Sequence, residues 1–184
     1  MRIVAGAFRG RRLLSPRSGR IRPTSDRVRE AVFSILAHRV SEALVLDLYA
    51  GTGAMGLEAL SRGASRAVFV DDHPEAVRLI RSNIQRCGAE DRARVVRGPV
   101  DQEVRKLALQ GEGFHLVFLD PPYGKGLLEE SVPRLTPLAL PTTLAVAEHR
   151  VDDLLPPRLG PWLRIDERRY GDTVVSFFRR ECPS

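Results

Sequence analysis

The sequence predicts an α/β fold: a mostly parallel seven-stranded sheet with helices on both faces. Three observations carry this reading. Apolar runs of strand length alternate with amphipathic stretches from Ala43 onward, the pattern of βαβ units. A glycine loop, "GTGAMG" at Gly51 to Gly56, stands between the first strand and the helix after it. The last two apolar runs, "WLRIDERRYG" and "DTVVSFFRRE", are joined by Gly171-Asp172 and not by a helix. They form an antiparallel hairpin at the sheet edge.

Residues 1–23 read as a basic N-terminal extension, either an arm or a short hairpin of "RIVAGAF" and "GRRLLS", punctuated by Pro16, Gly19 and Pro23. Residues 24–184 read as the main domain. Thr24 or Ser25 supplies a helix N-cap, and Val28, Val32, Ile35 and Leu36 recur at helical spacing in "SDRVREAVFSILAHRV". "ALVLDLYA" is the first strand, and "GAMGLEALSRGA" a short helix that stops at Gly63. "RAVFVDD" is a strand. "PEAVRLIRSNIQRCGA" is a helix with Pro74 in its first turn and Gly88 at its end. "ARVVRG", "FHLVFLDPPY" and "TTLAVAEHR" are strands. Between them lie the helix "VDQEVRKLALQ" and the broken helical segment "LLEESVPRLTPLAL".

At 184 residues and 43% hydrophobic, the chain suits one folded domain and is not disordered. No apolar run approaches the roughly 20 residues of a membrane helix. The N-terminus lacks the order of a secretory signal, so a cytoplasmic protein without a membrane partner is expected. Cys87 and Cys182 are far apart and belong to no Cys/His cluster, so no metal is expected. The net charge of +6 and the arginine-dense opening favour a polyanionic partner.

In a doubly wound sheet the ligand sits beyond the carboxyl ends of the strands. "GTGAMG" is G-x-G-x-x-G in that position, and Asp71 lies about 20 residues on, where an acid meets ribose hydroxyls. A nicotinamide cofactor fits this much. Asp47, before the glycines, is awkward beside a pyrophosphate. It suits S-adenosylmethionine, which carries an amino group and a sulfonium and no phosphate. A helix-capping or loop-stabilising acid is the other reading of Asp47. "DPPY", Asp120 to Tyr123, then becomes intelligible. Proline cannot continue a sheet interior, so the strand ends by presenting a carboxylate, a stiffened carbonyl and a ring. Asp120 and the Pro121 carbonyl can each accept one proton of an exocyclic amine. Pro122 stiffens the turn, and Tyr123 offers a face for a base.

On these motifs, the chain resembles the RsmD family of bacterial ribosomal RNA methyltransferases. The resemblance rests on "RIVAGAFRGRRL", "RPTSDRVREAVFSIL", "LDLYAGTGAMGLEALSRGA", "LDPPY" and "YGDTVVSFFRR", which span nearly all of it. It implies a Rossmann-like S-adenosylmethionine-dependent methyltransferase acting on guanine N2 of 16S rRNA, in assembled or nearly assembled 30S particles, as a monomer. It implies that Asp47, Ala50, Gly51 and Gly53 line the methionine end of the cofactor and that Asp71, with Asp72 beside it, meets the ribose. Thr24, in "RPT", lies near the cofactor carboxylate. Asp120, Pro121, Pro122 and Tyr123 hold the target base. Arg9, Arg11, Arg12 and Arg22 meet rRNA. One departure is Pro99, which stands where an acidic or amide residue for the adenine amino group is expected; Asp101, two positions on, is the substitute.

Other readings remain open on the residues alone. A DNA adenine-N6 or cytosine-N4 methyltransferase would use "DPPY" equally well, but needs surface for reading the major groove. A non-enzymatic rRNA-binding factor would leave "DPPY" unused, and so would a nicotinamide oxidoreductase. His73 and His149 read as structural or pocket-lining.

Overall fold

The computed structural model describes residues 1–15, 25–124 and 126–181. In chain order the elements are α1 (Asp26–Leu36), β1 (Leu44–Leu48), α2 (Ala54–Ser61), β2 (Arg66–Asp71), α3 (Pro74–Cys87) and β3 (Ala93–Arg97). Then come α4 (Val100–Leu109), β4 (Phe114–Leu119), α5 (Leu127–Arg134), β5 (Ala139–Arg150), β6 (Arg158–Leu159), β7 (Trp162–Tyr170) and β8 (Thr173–Arg180). The strands form one sheet in the order β3-β2-β1-β4-β5-β8-β7-β6. β1 to β5 pair in parallel, and β8 lies antiparallel between β5 and β7. The seven strands read from the sequence are all present. β6 is an addition, two residues paired with Leu163 and Trp162, too short to show any period.

Strand alternation divides the core. Val45, Phe69, Phe118, Val146 and Phe177 face one side with α1, α2 and α3. Leu46, Val68, Val117, Ala145 and Phe178 face the other with α4 and α5. Both faces are covered, which is why the parallel strands read as continuous apolar runs. The helix ends follow local chemistry. The Ser25 side chain caps α1 by accepting from the Val28 N–H. Pro74 opens α3, and Gly88, at φ 60°, closes it. Pro133 lies in the last turn of α5, and a short 3₁₀ turn, Thr136–Leu138, follows, which accounts for the broken pattern there.

Residues 1–15 are a docked hairpin. Ile3 N–H donates to the Arg11 carbonyl and Gly10 N–H to the Ile3 carbonyl, while Ile3, Phe8 and Leu13 enter the core on the α1–α3 face. The clamp beneath it is Glu58, fully buried in α2. Its carboxylate accepts from the backbone N–H of Val4 at 2.8 Å and of Ala5 at 3.0 Å. It also accepts from Arg62 at 2.8 Å and from the fully buried Arg29 at 3.4 Å. Arg29 in turn donates to the Arg2 carbonyl and to Asp26. A buried charge is tolerated only when paired and hydrogen-bonded, and here the hairpin backbone supplies half the partners. Farther along, the buried Asn83 of α3 bonds both backbone groups of Leu14 and also donates to the Thr52 carbonyl in the glycine loop.

Among the described residues no helix is long and apolar enough to cross a membrane.

Replacing Glu58 with alanine removes one carboxylate partner of the buried Arg29, which keeps Asp26 and the Arg2 carbonyl, and takes the acceptor from two backbone donors. The expected loss is about 3–5 kcal/mol in urea unfolding. A loss under about 1 kcal/mol would mean that the hairpin holds by its apolar side chains alone.

Candidate active site

The chain leaves β1 toward β2 on one side and returns through β4 on the other, so a crevice opens beyond the carboxyl ends of β1 and β4. Register brings the tips together. Leu48 pairs with Leu119, and Leu119 with Ala147. Asp120 and Glu148 are therefore the next residues on two neighbouring strands. By alternation Asp47, Asp71 and Glu148 share the face of Val45, Phe69 and Val146.

The glycine loop is held by acids. Asp71 accepts the Gly51 N–H at 2.8 Å through Oδ2 and the His73 N–H at 2.9 Å through Oδ1. Ala50 N–H donates to the Val70 carbonyl and Gly53 N–H to the Ala50 carbonyl. Gly53 takes φ 76° and Gly51 φ 56°, left-handed values that suit glycine. Tyr49 is also at φ 56°, a genuine outlier for a bulky residue. It is anchored by its hydroxyl, 2.9 Å from Ser131 Oγ. The last glycine of the motif serves packing. A Cβ on Gly56 would fall 2.3 Å from the Phe69 ring, so glycine lets α2 lie close on β2.

Asp47 is buried, and its Oδ2 accepts the Gly56 N–H at 2.9 Å. Gly56 belongs to the first turn of α2, whose N-cap is Gly53, so this bond ties the end of β1 to the start of that helix. Burial, opposed by that bond and reinforced by Asp71, pushes its carboxyl up to about 7. Burial also raises the Asp71 carboxyl, against its two backbone bonds. Such a site favours a ligand with a positive or neutral face over a pyrophosphate.

Asp120 is half-buried at the end of β4. Pro121 is buried, Pro122 exposed and Tyr123 half-buried. The Tyr123 hydroxyl donates to Glu148 Oε1 at 3.4 Å. Beside them is a cavity of about 280 Å³ lined by Pro121, Pro122, Tyr123, Leu128, Glu148 and Leu155, among others. Sequence reasoning passed over Glu148, Tyr49 and Asn83. Glu148 had a usable signal: it lies two residues after Val146, at the tip of the strand that follows "DPPY".

The remaining predicted residues scatter. Asp72 is exposed. Asp101 is half-buried in the first turn of α4, close enough to act electrostatically on Tyr49. Pro99 precedes it as the N-cap. Arg9, Arg11 and Arg12 are exposed on the hairpin. Arg11 lies over the Phe8 ring and donates to the Arg86 carbonyl, at the end of α3 opposite the strand tips, so it is not brought to Asp120. Arg22 and Thr24 lie outside the described residues.

A sheet with this strand order, a crevice between β1 and β4 and a glycine loop closed by carboxylates has the Rossmann-like fold of S-adenosylmethionine-dependent methyltransferases. The family described as Conserved hypothetical protein 95 matches residues 1–179, and the chain belongs to that family, the RsmD family. Ribosomal RNA small subunit methyltransferase D of Escherichia coli (strain K12) is 38% identical over 185 residues, covering 99% of this chain and 91% of that protein. Among solved structures, yhhF from Escherichia coli superposes with a TM-score of 0.84 at 36% identity, covering 98% of each chain. A hypothetical protein of Thermus thermophilus gives 0.82 at 36% identity, covering 96% of this chain and 98% of that one. SMU.776, solved as a complex with SAH, shares the fold at 12% identity and a TM-score of 0.69, covering 83% of this chain and 48% of that one.

The raised Asp47 carboxyl sets a pH dependence. Its folded value of about 7 lies above the ordinary 3.8, so between these values the native state holds a proton that the unfolded chain has released. Stability therefore falls as pH rises from about 4 to about 7, by at most about 1.4 kcal/mol per unit for this group. Urea unfolding from about pH 4 to about pH 8 should show a shallower slope in Asp47→Asn, whose amide oxygen still accepts from Gly56. Asp71 leaves a residual slope of the same sign. Equal slopes would contradict the burial of a protonated Asp47.

Proposed function

We propose that this chain transfers a methyl group from S-adenosylmethionine to the exocyclic N2 of a guanine in small-subunit ribosomal RNA, on assembled or nearly assembled subunits. The observation that carries the proposal is the Asp120-Pro121-Pro122-Tyr123 turn at the tip of β4, beside the glycine loop at the tip of β1. The printed name of the Escherichia coli relative supports the RNA class of substrate.

S-adenosylmethionine fits the donor set, and when bound it supplies a methyl group on a positively charged sulfur. Ala50, Gly51 and Gly53 would present loop backbone to it. Asp71 would accept from its ribose. Each carboxylate oxygen has two acceptor sites, so Asp71 can hold Gly51 and His73 and still take hydroxyls. Buried Asp47 would support the loop through α2 and, when ionised, favour the nearby positive charge. Asp101 and Tyr49 lie on the side of α4, where an adenine would be met.

The guanine amine is a poor nucleophile because its lone pair is delocalised into the ring. Asp120 and the Pro121 carbonyl would accept its two protons and turn the nitrogen toward the methyl carbon. Pro122 limits the freedom of that carbonyl, and the Tyr123 ring would stack on the base. Holding the reactants in line supplies most of the acceleration. Methylation would leave the nitrogen cationic and acidic, and Asp120 or water would take the proton it sheds. Arg9, Arg11 and Arg12, exposed on the hairpin, would meet RNA phosphates, as would Arg22.

The test is incubation with methyl-labelled S-adenosylmethionine and three substrates: naked 16S rRNA, unmodified small subunits and duplex DNA. The nucleosides are then identified after digestion. Label in N2-methylguanosine, greatest with subunits, is expected. Label in N6-methyladenine of DNA would overturn the substrate. Asp120→Ala should lose at least about 10²-fold in kcat with cofactor affinity retained, and Asp120→Asn should fall between it and the wild type.

A further inference from the structure

We propose that Glu148 is the residue that selects guanine. The inference rests on the guanine-N2 reading above and deepens it. The "DPPY" turn cannot choose a base by itself, because adenine, cytosine and guanine all present an exocyclic amine with two protons. Selection needs a group that reads the ring atom beside that amine.

Glu148 is placed for this. It is the residue after Ala147 on β5, and Ala147 is in register with Leu119, the residue before Asp120. Glu148 lines the same cavity as Pro121, Pro122 and Tyr123, as do Glu129, Asp152 and Asp153. The Tyr123 hydroxyl, 3.4 Å from Glu148 Oε1, orients its carboxylate. The strand behind it is held firmly. His149 is buried, with Nε2 3.0 Å from Ser176 Oγ on β8, and Glu148 itself pairs with Val175. The carboxylate thus stands on a rigid strand pair and not on a loop. The cavity has room for a planar base against Tyr123, Leu128 and Leu155.

The chemistry then discriminates. Guanine carries N1–H beside its 2-amino group, a ring donor that a carboxylate can accept. Glu148 takes N1–H along the base edge. The two amine protons go to Asp120 and the Pro121 carbonyl, and the nitrogen lone pair stays perpendicular to the ring. Adenine presents a lone pair at N1 beside its amine, and cytosine one at N3. Either would set a lone pair against a carboxylate and leave that pair of acceptors without a donor, which disfavours the wrong base.

The experiment uses small subunits reconstituted from 16S rRNA that carries, at the nucleotide found labelled in the test above, either guanine or 2-aminopurine. The latter keeps the 2-amino group but offers a lone pair at N1. Wild-type protein is expected to methylate guanine at least about 10²-fold better in kcat/KM. Glu148→Gln is expected to lose about 10²-fold on guanine and under about threefold on 2-aminopurine, so that the ratio collapses. Cofactor affinity and thermal midpoint should stay near wild type, and turnover of 2-aminopurine is the internal check on folding. N2-methylguanosine with an unchanged ratio in Glu148→Gln would overturn the role of Glu148 alone. No N2-methylguanosine with the wild-type protein would overturn the guanine reading and this inference with it.

Discussion

Asp71 ties three loops to one strand tip. Its two carboxylate oxygens hold the Gly51 N–H after β1 and the His73 N–H at the start of α3, and its carbonyl accepts the Gly98 N–H after β3. These bonds keep the loops after β1, β2 and β3 from opening independently. The fourth loop, "DPPY", is set against them by the pairing of β1 with β4. Parallel strands require crossovers, and reversing their direction between β2 and β4 leaves the tips of β1 and β4 side by side with nothing crossing over them. Every functional group in the crevice depends on that arrangement.

The N-terminal hairpin is tied into the same system from behind. Glu58 holds its first strand, and Asn83 links Leu14 to Thr52 within the glycine loop. Both contacts place a buried polar side chain where its partners are backbone groups of another segment. Such bonds are geometrically exacting, and the full desolvation cost appears when a partner is removed. The hairpin and the glycine loop are therefore linked through α3, although Arg11 itself bonds the other end of that helix.

What was legible in the sequence follows from period and punctuation. The strand runs are apolar on both faces and bounded by Gly or Pro, so β1 to β5, β7 and β8 stand out, and "DPPY" ends β4 where proline must end it. β6 was hidden because two residues carry no period. The bond from Gly56 to Asp47 could not be read from the sequence, since a carboxylate after a strand can face a ligand or a helix, and the close packing of Gly56 on Phe69 brings the α2 amide to it. Glu58 and Arg29 looked like ordinary charges on amphipathic helices. Their burial comes from the hairpin that covers them, a long-range event with no local signal. Arg11, read from the sequence as a residue that meets rRNA, also packs on Phe8 and bonds the end of α3, the habit of an arginine with an apolar stem; nothing local in the sequence signals that contact.

The measurement that bears most directly on the shared crevice is a crystal structure of the chain with S-adenosylhomocysteine. The adenosyl group should lie over Gly51 to Gly53 with its ribose hydroxyls at Asp71, and the sulfur should face Asp120 across the gap between β1 and β4. Density instead in the cavity between Tyr123 and Leu155, with the glycine loop untouched, would contradict the assignment of cofactor and base to neighbouring strand tips.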